Sequence, residues 1–155
     1  MDFNLTEQQE ILRRSAREFL EAECPTSLVR EVEELRDGHA PDLWRKMAGL
    51  GWLGISLPEQ YGGTGGSLTD QAVLFEEIGR TLTPGPLFTS SVLAAQIVLN
   101  AGNDTQKGNL IPGVVGGEFI LTMALGDRLE TAYRDGGLAL SGESSFVPYA
   151  GIANH

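Results

Sequence analysis

Few residues of this chain have side chains that could do chemistry, and they are scattered. One cysteine, Cys24, and two histidines, His39 and His155, occur in 155 residues. No Cys/His/Asp cluster stands at ligand spacing, so a metal centre is not expected. Cys24 has no internal disulfide partner, and its place near a helix end reads as packing rather than as a nucleophile. The glycine-rich run Tyr61-Gly62-Gly63-Thr64-Gly65-Gly66 invites a phosphate-loop reading, since glycines ahead of a helix can present free N–H groups. Its spacing fits neither GxGxxG nor a Gly-Lys-Ser/Thr ending, so a structural turn is expected. Glu76, Glu77 and Glu118 read as surface or helix-end charges.

Composition sets the frame for these groups. Hydrophobic residues make up 41% and charged residues 21%, a globular balance. No apolar run is long enough to span a bilayer, and the first residues lack the basic and apolar regions of a secretory signal. Together with the single cysteine, this suggests a reducing, cytoplasmic setting. The net charge of −10 disfavours nucleic acid as a partner, because phosphate recognition needs a basic patch. Glu31-Val32-Glu33-Glu34 is expected to be a solvated face.

The elements that must position any site are helical at first. Thr6 and Gln9 have capping-box spacing, and Leu12, Ala16, Phe19 and Leu20 then recur on one face until Cys24-Pro25. A short exposed helix is expected within Arg30–Asp37. Pro41 opens another helix with a stripe of Leu43, Trp44, Met47, Ala48 and Leu50. Ser67 and Asp70 can cap a further one, with Ala72, Phe75, Ile78, Gly79 and Leu82 on one side. Leu87–Leu99 is apolar on nearly every face and should be central. Asp104–Leu110 is expected to be a short helical turn stopped by Pro112-Gly113.

After Gly116-Gly117 the pattern becomes strand-like, over Phe119–Leu125, Thr131–Arg134, Leu138–Leu140 and Ser145–Tyr149, with glycine-rich turns between. So few strands cannot close a barrel. Either more of the polypeptide or another chain is expected to complete the sheet. The fold class is α+β: an all-α helical bundle followed by the first strands of an incomplete antiparallel β-barrel domain. The expected units are 1–117, helical, and 118–155, the beginning of the β-domain.

The order of these segments resembles the N-terminal half of the acyl-CoA dehydrogenase family. The resemblance rests on Trp44–Gly54 followed by Leu57-Pro58-Glu59-Gln60-Tyr61-Gly62-Gly63, on Phe75-Glu76-Glu77-Ile78-Gly79-Arg80, and on Gly117-Glu118. It implies an FAD-dependent flavoprotein oxidoreductase of fatty acid or lipid metabolism, which oxidises an acyl-CoA thioester at Cα and Cβ. A glutamate base takes the α-proton and the flavin takes a hydride. That base belongs to a C-terminal helical domain beyond this chain, so the resemblance places no catalytic residue here.

The same resemblance implies flavin-facing positions at Met123, Leu125 and Gly126, and at Phe146, Val147 and Pro148. Two of them depart from the family pattern. Gly126 stands where a threonine hydroxyl is usual, and Pro148 stands where a threonine or serine bonds near flavin N5; Phe146 replaces a tryptophan but keeps an aromatic face. Phe88, Thr89, Ser91 and Val92 are the implied acyl-slot residues. Implied partners are the acyl-CoA substrate, homo- or hetero-oligomers of acyl-CoA dehydrogenase-like subunits, and an electron-transfer flavoprotein-type acceptor. The two departures also allow a non-catalytic subunit that pairs with an active one.

Overall fold

A computed structural model describes residues 4–125, 128–134 and 136–155. Helix α1 (Glu7–Glu23) starts in the expected capping box of Thr6 and Gln9, and α4 (Leu68–Arg80) starts in that of Ser67 and Asp70. The two boxes touch: Gln9 Nε2 donates to Asp70 Oδ1 at 2.8 Å. Eight residues further along α1, Arg17 reaches Glu77 of α4. Both contacts advance in the same sense, so α1 and α4 lie parallel.

Helix α2 (Thr26–Glu34) begins earlier than expected and is not wholly exposed. It starts directly after Pro25, which cannot continue α1, and it buries Val32. Helix α3 (Pro41–Gly49) buries Leu43, Trp44 and Met47, while Leu50 falls past its end and is exposed. These helices share one core with Ala16, Leu20, Trp52 and Leu53; Phe19 packs edge-on against Trp52, with ring centroids 5.1 Å apart.

The stripe expected for α4 is rotated. Its buried positions are Gln71, Val73, Leu74 and Glu77, with Phe75 and Ile78 only partly covered, and Ala72, Gly79 and Leu82 exposed. Glu77 can occupy an inward position because Arg17 of α1 pairs with it there. Glu77 is therefore not the surface charge expected of it.

The turn between α3 and α4 is closed by its own backbone. The N–H groups of Gly63, Thr64, Gly65 and Gly66 donate to the carbonyls of Pro58, Gly54, Leu57 and Ile55, at 3.2, 3.0, 2.9 and 2.7 Å. A Cβ at Gly63 would sit 2.1 Å from the Leu57 carbonyl oxygen, so the chain passes where only glycine fits. With those donors spent inside the turn, none of the four is left for a phosphate.

A π-helical stretch, Phe88–Ala94, runs directly into α5 (Ala95–Ala101). It is central on one side only: Thr89, Ser90, Ser91, Ala94 and Ala95 are buried, whereas Phe88 and Ile97 are exposed. Helix α6 (Asp104–Val115) does not stop at Pro112 but continues through it. The residue four back is the exposed Gly108, whose carbonyl can turn to water when proline offers no N–H. Leu57, Ala94, Ala95, Ile111, Val114 and Leu121 form a second core under α5 and α6.

Gly117 joins the helical unit to the extended segments after it. Its φ is +77°, and a Cβ there would lie 2.8 Å from the Ala48 Cβ. The Trp44 indole N–H donates to its carbonyl at 3.0 Å. Beyond it, β1 (Arg128–Arg134) and β2 (Gly137–Glu143) form an antiparallel hairpin that contains the expected strands Thr131–Arg134 and Leu138–Leu140. The other two expected strands are absent from the sheet among the described residues. Residues 119–125 pair with no strand and meet residues 154–155 instead through backbone bonds at Ile120 and Thr122, and Ser145–Tyr149 is a turn with left-handed backbone at Phe146 and Tyr149. One hairpin face carries Leu129, Thr131, Tyr133, Leu138 and Leu140, since opposed residues share a face, and all of them are exposed.

Candidate functional site

The segments singled out for a cofactor meet on one side of the molecule. The extended run 120–125 leaves α6 and passes the π-helical stretch, where Ser90 holds it: the Leu121 N–H donates to Ser90 Oγ at 3.0 Å in a buried setting. The loop 144–155 then folds back beside it. The Ile120 N–H donates to Asn154 Oδ1, and the Asn154 N–H to the Ile120 carbonyl, both at 2.8 Å. The Thr122 N–H donates to the His155 carbonyl at 2.9 Å, and the Thr122 hydroxyl to the Pro148 carbonyl at 2.5 Å.

The loop that carries Phe146–Pro148 is thereby tied to Thr122, the residue just before Met123–Leu125 and more than twenty residues away in sequence. Met123 is half-buried, Leu125 exposed, Val147 half-buried, and Phe146 and Pro148 exposed. Gly126 lies outside the described residues. Among the described residues, the N–H groups of Met123, Ala124 and Leu125 meet no backbone partner.

Backbone N–H groups of this kind can bond the edge of a flat, polar-edged ring such as a flavin, and an exposed aromatic can cover its face. Pro148 adds neither a hydroxyl nor an N–H, and its carbonyl is already taken by Thr122.

Next to this strand is an apolar groove of about 280 Å³, lined by Ala94, Ile97, Val98, Leu110, Leu121, Thr122, Met123, Ala124 and His155. The four acyl-slot candidates divide between two environments. Phe88 is exposed and stands edge-on to Phe75, with centroids 5.9 Å apart, and Val92 is half-buried. Thr89 and Ser91 are buried, and the Ser91 hydroxyl has no partner among the described residues. The π-helical winding brings Phe88 and Val92 to the accessible side, and such stretches often mark functional sites.

Sequence reasoning missed two residues here. Ser90 was hidden by the assumption that an apolar helix needs only packing; a serine triplet inside an apolar run was the available signal. Thr122 gave none, because its partner Pro148 lies 26 residues away.

Among the described residues, the buried carboxylate of Glu77 is already paired. Both carboxylate oxygens of Glu77 accept from Arg17, at 2.9 and 2.7 Å, and Arg80 stands 3.3 Å away. The hydrogen bonds from Arg17 hold the Glu77 carboxyl below its ordinary range, against the opposing effect of burial. Asp70 is likewise lowered, chiefly by its bond from Gln9. Burial pushes the Cys24 thiol up, away from the reactive thiolate, and pulls the His39 imidazole down. Among the described residues, no group of three or more metal-binding side chains occurs, and no helix is long and apolar enough to cross a membrane.

Comparison with known proteins gives this geometry a context. The family model described as "Acyl-CoA dehydrogenase, N-terminal domain" matches residues 6–118. The chain is 32% identical over 135 residues to the acyl-CoA dehydrogenase IpdE2 of Mycolicibacterium smegmatis, covering 83% of this chain and 43% of that relative. It superposes on a chain of the ChsE4–ChsE5 complex of Mycobacterium tuberculosis with a TM-score of 0.89 and 29% identity, over 99% of this chain and 43% of that one. An acyl-CoA dehydrogenase of Bacillus anthracis, solved with FAD, shares the fold at a TM-score of 0.81 and 19% identity, over 93% of this chain and 27% of that one. The chain thus spans less than half the length of these proteins.

Proposed function

Because the chain belongs to the acyl-CoA dehydrogenase family, we propose that it supplies the substrate-side helices and first flavin-facing segments of an FAD-dependent enzyme. The reaction of the whole protein is then the α,β-dehydrogenation of an acyl-CoA thioester. When bound, FAD supplies the hydride acceptor for that chemistry. Met123 and Leu125 offer backbone groups to the ring edge, Gly126 adds backbone only, and Phe146, Val147 and Pro148 cover the ring from the facing loop. Phe88, Thr89, Ser91 and Val92 line the acyl slot on this reading, a slot whose chemistry needs water kept from the thioester. On this reading the base that takes the α-proton lies in the C-terminal domain; Glu77 is committed to Arg17 and Arg80.

The observation that carries this reading is the joining of 120–125 to 144–155 beside the π-helical stretch. It brings together the stretches that the family resemblance implies for cofactor and acyl chain. Residues 1–117 form the helical unit and 118–155 the start of the β-domain. The setting proposed is cytoplasmic, in a homo- or hetero-oligomer of related subunits that passes electrons to an electron-transfer flavoprotein-type acceptor. The test is the purified full-length protein or complex: it should be yellow, release FAD on denaturation, and bleach when acyl-CoA is added. A colourless complex indifferent to acyl-CoA overturns the reading.

One observation favours a second reading, a non-catalytic subunit that shapes the pocket of an active partner. Pro148 brings no hydroxyl to the cofactor side, and its carbonyl is turned to Thr122. In that case a related intact subunit copurifies, and Pro148→Thr with Gly126→Thr changes turnover little. Purification as a self-sufficient active homo-oligomer excludes it.

A further inference from the structure

We infer that Thr122 is the positioning residue that clamps the loop 144–151 against the run Met123–Leu125 and so sets the spacing between the two walls offered to the cofactor. The inference rests on the flavin reading above. Thr122 grips the returning chain at two points: its N–H donates to the His155 carbonyl at 2.9 Å, and its hydroxyl to the Pro148 carbonyl at 2.5 Å. Asn154 ties the same chain to Ile120 through two bonds of 2.8 Å, but only at the far end. For the part that carries Phe146, the Thr122 hydroxyl is the one side-chain tie to the strand among the described residues.

That part needs holding. Phe146 and Tyr149, on either side of Pro148, have φ of +57° and +54°, a left-handed backbone that aromatic side chains disfavour. Such a conformation persists only where its surroundings over-determine it. Pro148 has no N–H, so its carbonyl is its single backbone handle, and Thr122 takes it. Behind Pro148 the loop closes on itself, with the N–H groups of Ile152 and Ala153 both donating to the Tyr149 carbonyl at 3.1 Å.

The experiment compares Thr122→Val, which keeps the branched shape and removes the donor, with Thr122→Ser, which keeps the donor, in the full-length protein. Amide exchange at Ile152 and Ala153 is measured without added FAD, and FAD affinity is measured separately by fluorescence quenching. Removing one hydrogen bond should speed exchange there and weaken FAD binding by about two- to tenfold in the valine variant. The helices should keep wild-type protection, and the serine variant should restore both readouts. Unchanged exchange in Thr122→Val overturns the clamp. Faster exchange with unchanged FAD affinity overturns its positioning role. A wild-type protein that takes up no FAD removes the flavin reading and the cofactor half of this inference with it, while the exchange arm still decides the clamp.

Discussion

Arg17 reaches from α1 to hold both carboxylate oxygens of Glu77 on α4, at 2.9 and 2.7 Å, with Glu77 only 1% exposed. A carboxylate so enclosed is stabilising only while it is charged and paired. Because Arg17 lowers the folded-state pKa of Glu77, its contribution is fully present above the ordinary carboxylate range and is lost as pH falls below that range through the lowered folded value. Glu77→Gln should therefore lower the melting temperature by several degrees at neutral pH. The gap from wild type should narrow in acid. Thermal melts across a pH series check this, and a gap that widens on acidification contradicts it.

Gly117→Ala should destabilise the chain by about 1–3 kcal/mol, the usual cost of a left-handed non-glycine residue. The added methyl also meets the Ala48 Cβ at 2.8 Å and crowds the Trp44 indole at 3.3 Å. Urea denaturation should show a lower midpoint with an unchanged slope, alongside altered tryptophan fluorescence.

Ser90→Ala strips the Leu121 N–H of its acceptor inside the second core. Leaving a buried donor unpaired costs about 1–3 kcal/mol. The loss should register locally as faster amide exchange at Leu121, with the α1–α4 interface unaffected.

Phe146→Ala separates cofactor binding from folding. Phe146 is fully exposed, so its removal should leave the melting temperature of the ligand-free protein unchanged. If its ring covers the flavin, FAD affinity should fall about two- to tenfold, in line with aromatic pair energies. A drop in ligand-free stability with no change in FAD affinity would assign Phe146 to packing.

How far the sequence was legible depended on how local the cause was. The capping boxes Thr6/Gln9 and Ser67/Asp70 could be read because every atom involved lies within four residues. So could the turn at 61–66, where failed motif spacing agreed with the spent donors. The buried face of α4 could not: Glu77 points inward only because Arg17, 60 residues earlier, meets it there. Phe119–Leu125 has strand composition but finds no sheet among the described residues, and composition carries no information about partners. The hairpin was visible in outline, but not its register, which sets Tyr133 opposite Leu138. At the candidate site, the residues that resemblance implies were nameable in advance, whereas Ser90 and Thr122, which fix the strand, act through distant backbone groups.

The corner between α3 and α4 has a further consequence. With four successive amides fastened to Gly54, Ile55, Leu57 and Pro58, the segment behaves as a bracket of fixed length rather than as slack rope. One residue inserted or deleted between Pro58 and Gly66 would rotate the helix after it. Glu77 would then swing away from Arg17, and an edit far from any ligand would reach the heart of the bundle. Surface loops ordinarily tolerate such changes; this one should tolerate substitution at Glu59 or Gln60 but no change in length.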